Sequence, residues 1–172
     1  MTRNEMVQRA LEARSAPALK DGALAAARIG LAWIFIYHGA STLFGAFHGA
    51  GIHRTAVFFS TVAGLHPGTL FAVLNGTTEF FGGIAIGIGL LSRLAAIGLF
   101  FDMVVAMVTV TWANGIVSSA AGSGYELNIA LAVLALVIAL LGAGRLSADA
   151  WAGRLLSRRA SKSSPRLVVA AS

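Results

Sequence analysis

The sequence predicts an all-α integral membrane protein: a four-helix bundle of antiparallel, up-down topology with both termini in the cytoplasm. The first observation is composition, because the 172 residues are 57% hydrophobic and only 12% charged, whereas soluble domains are typically about 25% charged. The second is that the apolar residues gather into four segments of roughly membrane-spanning length. The third is that almost all Lys and Arg residues fall at segment ends that would share one side of the membrane.

The chain divides into a membrane domain and two tails. Residues 1–22 are a polar cytoplasmic tail, for which an interfacial helix and a solvated tail are the alternatives. Residues 23–150 form the membrane domain, with crossings at about 23–47, 70–91, 94–112 and 126–143. Residues 151–172 are a basic cytoplasmic tail, which starts as an amphipathic stretch and is predicted to be disordered from Arg158 onward.

The connections between the crossings differ in character. Ser92 and Arg93 are predicted to form a very short turn, which makes the second and third crossings a tight helical hairpin. The glycine-rich loop 45–69 carries a short apolar stretch at 55–62, predicted to be a helix in the interface. The loop also has three histidines, whose spacing matches no metal motif, and the chain has no cysteine, so no metal site is predicted. These histidines are His48, His53 and His66.

The basic residues set the orientation, since cytoplasmic loops carry the excess of Lys and Arg. Among the loops, only Arg54 falls on the outer side. Arg28, at the start of the first crossing, is expected to extend its long side chain to the lipid headgroups. The net charge of +6 therefore reflects membrane topology, and nucleic acid is not a predicted partner.

The second crossing carries Glu79 near its middle. A carboxylate at that depth is costly, so such acids usually face a protein interior or an aqueous cavity. Gly76, Gly83 and Gly87 fall on the same helical stripe as Glu79, and small residues at this spacing let a neighbouring helix approach closely. The stripe therefore predicts that Glu79 and these glycines face partner helices and not lipid.

The third crossing repeats this pattern with a second acid. Asp102 lies in its interior, on a stripe of small and polar residues with Gly98, Ala106 and Thr109. The pattern again indicates a face that packs against protein.

His38 and Glu126 complete the set of candidate functional residues. His38 lies near the middle of the first crossing, where a hydrogen-bonded structural histidine and a proton-handling or ligand-contacting residue are the alternatives. Glu126 opens the fourth crossing, where the helix dipole alone favours an acid. At about 1.5 Å per helical residue, His38 and Asp102 fall at one level and Glu79 about a turn further out. We expect a proton-handling polar centre of His38, Glu79 and Asp102, with Glu126 at its outer mouth.

Several short motifs, in this order and spacing, resemble the DoxX family of small bacterial four-helix membrane proteins. The motifs are His38-Gly39 with Leu43-Phe44 following, Gly76-x-x-Glu79-x-x-Gly82-Gly83, Gly89-Leu90 leading to Arg93, Glu126, and Gly142-x-Gly144-Arg145-x-Ser147-x-x-Asp149. The resemblance covers residues 28–149. There is one departure, since Thr42 stands where the family often has a lysine.

The resemblance implies a multi-pass protein of the bacterial cytoplasmic (inner) membrane with a link to redox chemistry. The founding members are small subunits associated with an archaeal terminal quinol oxidase and with thiosulfate:quinone oxidoreductase, and others are linked to oxidative-stress and thiol-redox systems. A quinone is accordingly the candidate cofactor. The expected partners are the lipid bilayer, a second copy of the chain, or another membrane or redox subunit.

Three functions are compatible with these observations. In the first, the chain is a membrane subunit of, or partner to, a quinone-linked redox system, and the buried His/Glu/Asp set handles protons. In the second, it is a non-enzymatic scaffold that docks a redox enzyme or membrane subunit. In the third, an oligomer transports a small solute or protons. The sequence has no flavin or nucleotide motif, and His38 is the only histidine inside a crossing, so a bis-histidine haem lacks a second ligand. Whether the chain is an enzyme stays open.

Overall fold

The protein is helical, as predicted. The computed structural model describes residues 3–117 and 122–163, and these residues form six α-helices and no β-strand. The helices are α1 (Arg3–Phe44), α2 (Gly51–Thr61), α3 (Gly68–Ile88), α4 (Ser92–Ala106), α5 (Glu126–Leu141) and α6 (Ala148–Ser163). The all-α class is therefore confirmed.

Within the described residues, three helical spans are long and apolar enough to cross a membrane. They are Pro17–Phe44, Gly68–Ile88 and Ser92–Asn114, and they correspond to the first three predicted crossings. The third span includes a π-helical stretch, Met107–Thr111, and a 3-10 turn that continue α4. The fourth predicted crossing is the shorter apolar helix α5. The chain is thus a multi-pass membrane protein by the length and composition of its helices.

The two tails are more helical than the sequence indicates. Helix α1 starts at Arg3, runs through Pro17 without ending, and stops at Phe44, where Gly45 adopts a left-handed conformation (φ 65°). Residues 158–163, predicted to be disordered, form the last part of α6. The rest of that predicted disordered segment, 164–172, lies outside the described residues.

The turn between α3 and α4 lies three residues earlier than predicted. Ser92 and Arg93 belong to the first turn of α4, and residues 89–91 make the connection. Gly89 is left-handed (φ 75°), and the backbone N–H groups of Gly89 and Leu90 donate to Ile86 O (3.1 Å) and Ala85 O (2.9 Å). This is the Schellman arrangement that satisfies the last carbonyls of a helix. Leu91 is also left-handed (φ 47°), a conformation rarely adopted by residues other than glycine.

The main packing partners are α1 with α3 and α4 with α5, while α3 also packs against α4 and α2. The buried core draws on four helices. Its members are Leu31 and Phe35 of α1, Ile86 of α3, Ala96, Leu99 and Met103 of α4, and Leu131, Ala132, Ala135 and Ile138 of α5.

The glycines on the Glu79 stripe of α3 face α1, as small residues predict. The buried residues of α3 recur every three or four positions. A Cβ atom on Gly83 would lie only 3.0 Å from Ile36 N, and one on Gly39 of α1 would lie 2.7 Å from Phe80 Cα. The two backbones approach this closely because glycine has no side chain at either contact.

Arg28 does not reach the headgroups, in contrast to the sequence prediction. Only 3% of the residue is exposed, and its guanidinium donates four hydrogen bonds to backbone carbonyls. The acceptors are Ile86 O (2.9 Å), Gly87 O (2.8 Å), Ala143 O (2.7 Å) and Leu146 O (2.8 Å). The last carbonyls of a helix have no partner inside that helix, and Arg28 satisfies those of α3 together with carbonyls just after α5.

Asp149 connects the start of α6 to the α3–α4 turn. Its carboxylate accepts hydrogen bonds from the backbone N–H groups of Leu91 (2.9 Å) and Ser92 (3.2 Å), while its own N–H donates to Gly89 O (2.9 Å). Arg28 and Asp149 thus hold the segment after α5 against the turn. We call this end of the molecule, with residues 86–92 and 143–149, the turn end.

The other end of α5 lies beside the end of the third span, Ser92–Asn114. Tyr125 N donates to Gly115 O (3.1 Å), Glu126 N donates to Ile116 O (3.0 Å), and the Tyr125 ring stacks on Trp112 at 5.2 Å between centroids. Helix α5 therefore runs from the end of the molecule that holds Trp112 to the turn end.

Candidate functional site

A cavity of about 340 Å³ lies between α3 and α4, with one wall from α2 and the loop after it. Its size falls within the range of about 300–1,000 Å³ typical of small-molecule sites. The apolar lining side chains are Phe59, Leu65, Phe71, Leu74, Phe101, Val105, Ala106 and Val110. The polar lining side chains are Asn75, Thr78, Glu79, Asp102 and Thr109. The cavity thus combines an apolar wall with a small polar group of side chains.

Both acidic stripes predicted from the sequence contribute to this cavity. Glu79 of α3 is only 7% exposed, and Asp102 of α4 lines the cavity with its predicted companions Gly98, Ala106 and Thr109. Asp102 lies ten residues into α4 and Glu79 nine residues before the end of α3. These separations correspond to about 15 Å and about 14 Å of helix, so the acids lie at nearly one depth.

Asn75 connects α3 to Asp102 of α4. Its side-chain amide donates to Asp102 Oδ1 at 3.0 Å. Glu79 lies one turn further along α3 and lines the same cavity. The sequence analysis did not predict Asn75, because a neutral amide is not titratable. Its position four residues before Glu79, on the same helical face, is the signal that identifies it.

The second oxygen of Asp102 is not satisfied within the protein. Among the described residues, Asp102 Oδ2 is a buried side-chain oxygen with no hydrogen-bond partner. A buried polar atom without a partner carries a large desolvation cost. This oxygen therefore either holds a proton or requires a donor that the described part of the chain does not provide.

The cavity adjoins the exposed apolar surface of α3 and α4. Leu74, Phe101 and Val105 line it and are also exposed on the outer surface of α3 and α4. Its described lining includes no residue of α1 or α5. A molecule dissolved in the bilayer can therefore approach the two acids without crossing the packed core.

The π-helical stretch after α4 contributes to the cavity wall. Thr109 and Val110 both belong to the stretch Met107–Thr111 and both line the cavity. Single-turn π segments inside helices are frequent at functional sites because they redirect side chains. The sequence of this stretch shows no signal for the change of helix type.

The structure does not bring His38 and Glu126 to the two acids. His38 is exposed, its ring lies 5.6 Å from that of Tyr37, and it is absent from the described lining of the cavity. Glu126 is exposed at the start of α5 and is likewise absent from that lining. The four predicted residues therefore separate into one pair within the cavity and two residues outside it.

The three loop histidines do not form a metal site with their described surroundings. His48 belongs to a 3-10 turn, His53 lies in the first turn of α2, and His66 precedes α3. Across residues 3–117 and 122–163, no group of three or more His, Cys, Asp or Glu residues is placed to hold a metal ion.

Comparison with known proteins places the chain in a family. The model of the DoxX family matches residues 23–112, which is just over half of the chain. The match contains both helices that carry Glu79 and Asp102, and it ends before α5. Comparisons with curated proteins and with solved structures found no match. The chain therefore belongs to the DoxX family of membrane proteins.

Proposed function

We propose that this protein is a membrane subunit of, or partner to, a quinone-linked redox system of the bacterial inner membrane, and that a quinone head group binds between α3 and α4. The observation that carries the proposal is the cavity between these helices, with two acids and an amide at its polar part. An amphiphilic ligand that reaches its site from the bilayer needs this combination of an open apolar wall and a buried polar group.

The residues of the cavity fit such a ligand chemically. Asn75 and protonated carboxyls can donate hydrogen bonds to carbonyl oxygens, and ionised carboxylates can accept them from hydroxyl groups. Asp102 Oδ2 has no described partner and is the first candidate to contact the ligand. Glu79 and Asp102 are also the lining groups that can take up or release a proton near it. A bound quinone would supply the two-electron redox chemistry.

We also propose that α5 is the fourth crossing, which gives a four-helix bundle with both termini in the cytoplasm. Its 16 residues correspond to about 24 Å of helix, somewhat less than the roughly 30 Å of a hydrocarbon core. Local thinning of the bilayer accommodates a difference of this size at modest cost. The contacts at its two ends support the proposal, because they place the start and the end of α5 at opposite ends of α4.

Gentle detergent extraction followed by mass spectrometry of bound lipids tests the quinone site. We expect the wild-type protein to retain a quinone. Glu79→Gln and Asp102→Asn should each lower the retained amount by about tenfold or more, because a hydrogen bond to a charged group contributes about 1.5–3 kcal/mol. Asp21→Asn is the matched control, since this acid lies outside the cavity lining and binds Arg145 N.

The possible outcomes separate the candidate functions. Equal quinone retention in all variants would show that the two acids do not bind the head group. A wild-type protein without quinone, but with a redox enzyme that both cavity variants also retain, would favour the docking scaffold. Both exchanges keep the size and shape of the side chain, so we expect each variant to fold. Thermal unfolding in detergent checks this.

A further inference from the structure

Helix α6 exposes an apolar face. Trp151 is 61% exposed and Leu156 is 67% exposed, while Leu155 is exposed to a lesser degree. At about 100° of rotation per residue, Leu155 lies about 40° and Leu156 about 140° around the helix from Trp151, so the three residues span one broad sector of it. Arg154 and Arg158, both exposed, form a row beside it. An exposed apolar face of this kind requires a covering layer.

The position of α6 indicates what that layer is. Asp149, in its first turn, is hydrogen-bonded to Gly89, Leu91 and Ser92. The apolar span of α3 ends at this turn and the apolar span that starts with α4 begins there, so α6 begins at the level of the membrane surface. Trp151 follows two residues later, and tryptophan is enriched at that level of membrane proteins.

The charge along this part of the chain indicates the kind of lipid. After Asp149 the sequence contains five basic residues and no acidic one. Basic residues close to a membrane surface are attracted to anionic headgroups. We propose that α6 lies on the cytoplasmic surface of the membrane, with Trp151, Leu155 and Leu156 among the acyl chains and its arginines bound to anionic phospholipids.

Spin labels on the full-length chain in vesicles test this proposal. The chain has no cysteine, so a single introduced cysteine is a unique attachment site. Ala152→Cys places a label on the apolar side of α6, and Ser157→Cys places a matched label on the opposite side. Vesicles of phosphatidylcholine, with or without phosphatidylglycerol, are compared by the accessibility of each label to oxygen and to a water-soluble nickel chelate.

With phosphatidylglycerol present, we expect the label at 152 to be accessible to oxygen and the label at 157 to be accessible to nickel. In phosphatidylcholine alone, both labels should shift toward nickel. Arg154→Gln with Arg158→Gln should lower the ratio of membrane-bound to free α6 by roughly 30-fold in anionic vesicles, given the attraction expected per basic residue.

Three results would overturn the proposal. Nickel accessibility at 152 in anionic vesicles would show that α6 is not on the membrane. The same oxygen accessibility in both lipids would show that anionic headgroups are not the ligand. Spin–spin broadening at 152 would show that a second copy of the chain covers the face. None of these results bears on the cavity between α3 and α4, so this proposal and the proposed function are tested separately.

Discussion

At the scale of single residues, buried charged groups in this chain have two different roles. Arg28 donates four hydrogen bonds to backbone carbonyls and joins α3 to the segment after α5. Asp102 is only partly satisfied, through Asn75. A buried charge with several hydrogen bonds to the backbone stabilises a fold, whereas a buried oxygen without a partner at a cavity is what a ligand site requires.

Arg28→Met should strongly destabilise the protein. The substitution leaves four carbonyls without their donor, and hydrogen bonds to charged groups contribute about 1.5–3 kcal/mol each. Because such contributions are not additive, we expect a loss of at least about 3 kcal/mol in the free energy of unfolding. Arg28→Lys should recover only part of it, since an ammonium lacks the planar fork of donors. Unfolding of the purified protein in mixed detergent micelles measures both.

Arg93→Met is the control for the Arg28 substitution. Arg93 is exposed, and no hydrogen bond or ion pair to it appears among the described residues, so its removal should change stability little. Equal stability of Arg28→Met and Arg93→Met would mean that the four hydrogen bonds of the buried guanidinium contribute little to folding.

At the scale of secondary-structure elements, the contact between α1 and α3 depends on glycine at particular positions. Gly39 of α1 is buried against the backbone of Phe80, whereas Gly30 of the same helix is exposed, and a Cβ atom added there would have no neighbouring atom within 4 Å outside the helix backbone. The two positions share a helix and a residue type, and they differ only in what a methyl group would contact.

Gly39→Ala should therefore destabilise the protein, and Gly30→Ala should not. The added methyl at 39 would lie 2.7 Å from Phe80 Cα, and overpacking of this kind costs about 1–3 kcal/mol. At 30 the same change should be neutral or stabilise the helix by up to about 1 kcal/mol, because alanine is the better helix former. Thermal unfolding of both variants in one detergent gives the comparison. If both lower the midpoint equally, close backbone approach is not the reason for glycine at 39.

The elements also show how far the sequence could predict this fold and site. The stripes of Glu79 and Asp102 were predictable because helical periodicity is local and small residues mark a packed face. Arg28 was not, since its acceptors are backbone carbonyls 58 to 118 residues away, which have no sequence signature. The left-handed Leu91 and the π-helical turn at Met107–Thr111 were also missed, because they depend on tertiary packing. His38 was expected in the polar centre from its depth, but depth does not determine which side of α1 it occupies.

At the scale of the whole molecule, hydrogen bonds at its two ends determine the course of α5. At the turn end, the Arg28 guanidinium donates a hydrogen bond to Ala143 O, and Leu91 N donates one to the Asp149 carboxylate. At the other end, Glu126 N binds Ile116 O. A helix that starts beside the end of one membrane span and finishes beside its beginning must pass from one side of that span to the other. The contacts therefore favour a fourth crossing, although α5 has only 16 residues.

Labelling of single cysteines in intact cells decides between three crossings and four. Val117 and Arg145 are both exposed, and they flank α5 on its two sides. We expect a membrane-impermeant maleimide to label Val117→Cys in intact cells and to label Arg145→Cys only after the cells are permeabilised. His53→Cys in α2 serves as the outer reference, and Leu90→Cys in the α3–α4 turn serves as the inner one.

If the cysteines at 117 and 145 are both labelled in intact cells, α5 does not cross the membrane. In that case the basic segment after α5 would lie outside, against the distribution of Lys and Arg that orients membrane proteins. If 145 is protected together with 90, the bundle has four crossings and α6 is on the cytoplasmic side, where its arginines can meet anionic lipid.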